Sequence, residues 1–144
     1  MERAAQSLGR KVLVQNAIID EDLERAFSAL SKQSIAGVVV ENDAYFDSRR
    51  EQIIELAMRR PIPAIYHIRD FPASGGLISY GANLADAYYQ IGVQVSRVLK
   101  GARVTDLPVI RPTKFELTLN LKTAKALGLI VPASLWAVAD EVID

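Results

Sequence analysis

GVVVENDAYFDSRREQIIELAMRRPIPAIY, residues 37–66, packs a strand, a helix and a second strand into one run. Val38, Val39 and Val40 form a β-branched run with no polar alternation, which suits a strand covered on both faces. From about Ser48 to Arg60, the apolar residues Ile53, Ile54, Ala57 and Met58 recur at helical spacing and mark an inner face. Ser48-Arg49-Arg50-Glu51 has the pattern of a capping box for that helix. Pro61 and Pro63 cannot continue it, so the chain passes at once into the apolar run Ala64-Ile65-Tyr66.

The same rhythm extends toward the N-terminus. Val12-Leu13-Val14 reads as a strand, and Glu21 to Gln33 as a helix with Leu23, Ala26, Phe27 and Leu30 at i, i+3, i+4 and i+7. Met1 to Leu8 reads as the last turns of a helix closed by Gly9. Beyond residue 70, Pro72, Gly75 and Gly76 mark a loop, and residues 77–79 read as a strand. Asn83 to Lys100 reads as a longer helix striped by Leu84, Tyr88, Ile91, Val95 and Val98 and ended by Gly101. Residues 102–113, with Pro108 and Pro112, read as an extended connection. FELTLN at 115–120 is a strand, Lys122 to Leu127 a short helix closed by Gly128, and Ser134 to Ile143 a final helix. Strand, helix, strand in repetition predicts a three-layer α/β/α sandwich on a mostly parallel sheet, with 1–144 as a single α/β unit.

Composition narrows the chemistry. The 144 residues are 50% hydrophobic, enough to bury a core, and 17 Lys+Arg balance 17 Asp+Glu, so the basic footprint of a nucleic-acid binder is missing. No Cys and a single His exclude a disulfide, a thiolate metal site, a cysteine nucleophile and a histidine pair on a metal. GGLISYG at 75–81 is not a dinucleotide fingerprint and there is no GxxxxGK[ST], so no cofactor is expected. The first residues have neither the basic nor the apolar region of a secretory signal, and the apolar runs fall short of the roughly 20 residues that span a bilayer.

Ligands of open parallel sheets sit outside the carboxyl ends of the strands. The residues there are Asn16; Glu41, Asn42, Asp43, Tyr45 and Phe46; and His67, Arg69, Asp70 and Phe71. Both charge signs, amides and aromatic rings suit a zwitterion with an apolar body. Asn42, Asp43 and Asp47 are equally ordinary turn and N-cap residues. Arg69 can clamp a carboxylate or simply pair with its neighbour Asp70. An enzymatic alternative would use His67 for acid–base work, and a receiver-like signalling domain would use Asp43. The first strand, however, lacks the acidic pair a receiver domain needs, and no GxSxG supplies a nucleophile.

KFELTLNLKTAKALGLIVPASL (114–135) resembles the C-terminal end of ABC-transporter substrate-binding proteins of the tryptophan/tyrosine-binding-like group, which have the type 1 periplasmic-binding fold. GGLISYGANLADAYYQIGVQVSRVLKGARVTDLPV (75–109) resembles the stretch before it, and SRREQIIELAMRRPIPAIY (48–66) the helix–strand unit before that. The resemblance implies the later half of a two-lobe solute receptor: a C-terminal lobe plus crossover segments over 77–113. It implies a small polar organic ligand such as an amino acid, a membrane ABC permease as partner, a periplasmic or extracytoplasmic location, and neither enzymatic activity nor nucleic-acid binding. By resemblance, the ligand contacts are Asn42, Asp43, His67, Arg69 and Asp70, with Tyr45 beside them. A lobe without its partner would also self-associate through its exposed surface.

Overall fold

A computed structural model describes residues 2–33 and 35–144. The chain forms two compact units, Met1–Ser34 and Ile35–Asp144.

In the first unit, α1 (Glu2–Ser7) reverses at Gly9, whose φ of +64° is a conformation that glycine adopts without strain. Met1, part of the helix expected there, lies outside the described residues. Val12-Leu13-Val14 is not a strand: these residues pair with no neighbour among the described residues, and Leu13 and Val14 are exposed. β propensity alone does not make a strand, because the backbone needs a ladder partner. Helix α2 (Asp20–Ser31) takes its start from Asp22, whose carboxylate accepts from the backbone N–H groups of Ile18 at 3.0 Å and Ile19 at 3.3 Å. Those bonds, the Ile18 one foremost, and the Arg25 side chain hold the Asp22 carboxyl below its usual range. Leu23, Phe27 and Leu30 are buried, as their spacing predicts.

The second unit is built on a five-stranded sheet in the order β1 (Val38–Val39), β2 (Ala64–Tyr66), β3 (Ile78–Ala82), β4 (Phe115–Asn120), β5 (Glu141–Ile143). All pairings are parallel except β3 with β4. The fold is α/β on a mostly parallel sheet, the class the sequence predicts. β3 lies inside this sheet, between β2 and β4, and is longer than the 77–79 expected.

Two helical expectations change. The helix expected over 48–60 is α4 (Arg50–Arg59), and an unexpected short helix, α3 (Ala44–Ser48), runs into it through Arg49 at φ −110° and ψ 20°. The capping box at Ser48–Glu51 does not form, because the Ser48 hydroxyl donates instead to the Tyr45 carbonyl at 2.7 Å and closes α3. The final helix expected over 134–143 is a single turn, α8 (Ala133–Trp136), followed by β5, whose pairing with β4 outweighs local propensity. Between β2 and β3 lies the short α5 (Asp70–Ala73), and after β4 comes α7 (Leu121–Ala126).

The core gathers Ile53, Leu56 and Ala57 of α4, Ala64 and Tyr66 of β2, and Leu117 and Leu119 of β4. Phe71 of α5 is fully buried and stacks on Tyr66 at 4.3 Å between ring centres. Asn120 secures α5 from below: its side-chain N–H donates to the Pro72 carbonyl at 2.9 Å, while its oxygen caps α7 through Thr123 N–H at 3.0 Å.

Helix α6 (Leu84–Leu99) differs from the other long helices in burying none of its residues. Asn83 caps it through Asp86 N–H at 2.8 Å, and Gly101 ends it at φ +97°. Its apolar stripe, Leu84, Tyr88, Ile91, Val95 and Val98, is exposed. A groove of about 470 Å³ runs between α6 and Pro108–Pro112.

Candidate ligand-binding edge

Strand directions bring distant segments to one edge of the sheet. The carboxyl ends of β1, β2 and β3 and the amino ends of β4 and β5 coincide there, because β4 alone reverses the direction and β5 follows it. The edge therefore receives residues 41–47, residues 67–71, Asn83, Phe115, Glu116 and Glu141. Asn16 belongs to the first unit.

Asp43 is an N-cap: its carboxylate accepts from Tyr45 N–H at 2.8 Å and starts α3. Asn42 and Asp43 are exposed. The Tyr45 ring lies 5.7 Å from the Phe46 ring, tilted by 54°, and the Arg49 guanidinium lies over Tyr45 at 5.7 Å. Each ring is partly covered, so this pair forms a half-sheltered apolar corner.

His67 follows β2 directly. Its Nε2 lies 3.1 Å from the Asp47 carboxylate of α3, without the alignment of a good hydrogen bond, and its ring meets Phe71 edge-on. Both ring nitrogens of His67 are buried with no hydrogen-bond partner among the described residues. Gly81 of β3 lies against the His67 carbonyl so closely that a Cβ there would overlap it.

Arg69 does not pair with Asp70. Its Nε and Nη2 donate to both oxygens of Glu141 at 2.8 Å and 2.6 Å, a two-pronged bond that ties the loop after β2 to β5. Glu141 holds the guanidinium above its ordinary range and Arg69 holds the Glu141 carboxyl below its own. Asp70 faces Arg50 at 3.8 Å, and Arg50 also donates to Ser74 at 3.1 Å.

All six residues expected to contact a ligand, Asn42, Asp43, Tyr45, His67, Arg69 and Asp70, thus lie on one edge, and the structure adds three more. Asp47 reads as a turn residue until α3 presents it to His67. Glu116 receives Asn83 Nδ2 at 2.6 Å where α6 leaves the sheet. Glu141 sits in a segment that reads as helix, and its only sequence signal is an acid beginning the β-branched run Val142-Ile143. Among the described residues, no group of three or more His, Asp or Glu side chains is placed to hold a metal ion.

The sequence matches the family described as ABC transporter substrate binding protein over residues 2–143. No curated protein matches. Among solved structures, a conserved domain protein from Vibrio cholerae is similar at 26% identity and a TM-score of 0.83, over 97% of this chain and 47% of that one. An ABC domain in complex with L-Trp from Streptococcus pneumoniae is similar at 22% identity and a TM-score of 0.88, over 99% of this chain and 49% of that one. A substrate-binding protein with adhesive properties from Clostridium difficile, in its ligand-free, open structure, is similar at 23% identity and a TM-score of 0.69, over 98% of this chain and 47% of that one. The chain spans about half the length of these structures. With the family match covering nearly every residue, the chain belongs to the ABC transporter substrate-binding protein family.

Proposed function

We propose that this chain is the C-terminal part of a two-lobe solute receptor. In this reading it delivers a small polar organic molecule, such as an amino acid, to an ABC permease from the extracytoplasmic side, and catalyses no reaction. The observation that carries the reading is the sheet edge itself. Asn42, Asp43, Tyr45, His67, Arg69 and Asp70 gather there with acids, a guanidinium and half-sheltered rings, a mixture suited to a zwitterion with an apolar body. The family supports a binding role, and the L-Trp in the pneumococcal relative is the kind of ligand the edge suits.

The exposed α6 stripe supports the same reading. Its apolar residues and the groove beside Pro108–Pro112 are surfaces for a preceding half of the receptor to cover. Asp43 then has two roles, capping α3 and accepting a ligand ammonium, while Arg69 donates to a ligand carboxylate. A charge-assisted bond of this kind contributes about 1.5–3 kcal/mol, so losing one weakens binding roughly 10- to 150-fold. Asp43→Asn keeps the cap and removes the charge, which separates the roles. Calorimetric titration of the intact receptor, after a thermal-shift screen for its amino acid, tests the proposal. Unchanged affinity in both Asp43→Asn and Arg69→Gln would remove these residues from the site.

A further inference from the structure

We infer that Glu141 is a built-in competitor for the carboxylate of the ligand. It occupies Arg69 until a solute carboxylate displaces it, and so sets how strongly this edge selects carboxylate-bearing molecules. The inference rests on the binding role proposed above for Arg69.

Three observations carry it. First, Glu141 binds Arg69 as a carboxylate ligand would: Nε and Nη2 each donate to one oxygen, at 2.8 Å and 2.6 Å. The planar fork of the guanidinium accepts one such partner on that side, so a ligand and Glu141 compete for it. Second, the pair is within reach of solute, with the Arg69 side chain 48% exposed and that of Glu141 37% exposed. Third, Glu141 has a partner in reserve. Thr118 is its register neighbour on β4 and is 1% exposed, and the Thr118 hydroxyl has no hydrogen-bond partner among the described residues. When Arg69 turns to a solute, the Thr118 O–H can donate to the vacated carboxylate, which limits the cost of the exchange. Glu116 and Asp70 also act on Arg69. An incoming anion therefore meets acidic surroundings, and neutralising Glu141 should ease its approach.

The test uses this chain, labelled with nitrogen-15, and follows the Arg69 Nε–H resonance, identified by its loss in Arg69→Gln. The probes are indole-3-acetate and its neutral isostere indole-3-acetamide. In Glu141→Gln, half-saturation by indole-3-acetate should come at a concentration about fourfold lower than in the wild type, a change of ~0.8 kcal/mol. Indole-3-acetamide should move the resonance in neither. Thr118→Val, which leaves both charges in place, should raise the wild-type half-saturation about threefold by removing the reserve partner. The inference is overturned by equal half-saturation in wild type and Glu141→Gln, by an equal response to the amide, or by no response to the carboxylate in either protein. An unchanged value in Thr118→Val would equally contradict the exchange. An intact receptor that binds no amino acid would instead sink the proposed function, since the probe reports on Arg69 alone.

Discussion

Gly81 is the residue on which the candidate edge leans most directly. A side chain at this position would overlap the His67 carbonyl, so β3 and the loop after β2 can approach only because residue 81 has none. Gly81→Ala should destabilise the chain by about 1–3 kcal/mol, read as a lower urea midpoint, and should shift the His67 ring resonances. The Arg69–Glu141 pair makes a second residue-scale prediction. Because the folded-state pKa of Glu141 is depressed, its contribution is fully present above the ordinary glutamate value of about 4.3 and is lost as pH falls through the lower folded value. With both side chains more than a third exposed, that contribution stays below about 1 kcal/mol. Acid titration of stability should therefore show a small component that disappears in Glu141→Gln. Asp43 was legible as a cap from residue type alone. The partner of Arg69 was not, since Glu141 lies 72 positions away and local reading favours adjacent Asp70.

Among the elements, continuous apolar runs located β1 and β2 and the alternating FELTLN located β4, but Val39 of β1 is 55% exposed, so that strand is not covered on both faces as its run suggests. The failures share one cause: the strand expected at 12–14 has no ladder partner, while β5 exists because β4 offers one. Pairing between distant segments is invisible to periodicity. The additional helix α3 is a subtler case, with Asp43 starting a helical turn ahead of the apolar face that marks α4. Two substitutions test this scale. Leu56→Ala in α4, at a side chain that is 0% exposed, should cost about 2–5 kcal/mol in chemical denaturation. Asp43→Ala should cost about 1 kcal/mol, whereas Asp43→Asn should cost little, because asparagine caps as well as aspartate.

Considered as a whole molecule, Ile35–Asp144 is a sheet with a helix standing off it. α6 is held at its base by polar contacts: Asn83 to Glu116, Asn83 N–H to the Lys114 carbonyl at 3.0 Å, and Lys114 to Asp86 at 2.8 Å. Above that base its apolar stripe stays largely exposed, with Ile91, Val95 and Val98 lining the groove beside Pro108–Pro112. The chain on its own should therefore self-associate at micromolar concentration and bind an apolar-sensitive dye, as light scattering on a sizing column and fluorescence would show. If the proposed two-lobe receptor is right, adding the other lobe should reverse both. The stripe itself was plain in the sequence, because its spacing is helical. Its exposure was not, since periodicity marks a face to be covered without naming what covers it.

If this sheet edge is half of a site for a small zwitterion, as proposed, titration calorimetry of the intact receptor with the common amino acids will register it. Saturable binding of at least one is expected, weakened roughly 10- to 150-fold by Asp43→Asn and by Arg69→Gln in a receptor that remains folded. A folded receptor that binds none of them, or one whose affinity survives both substitutions unchanged, would contradict it.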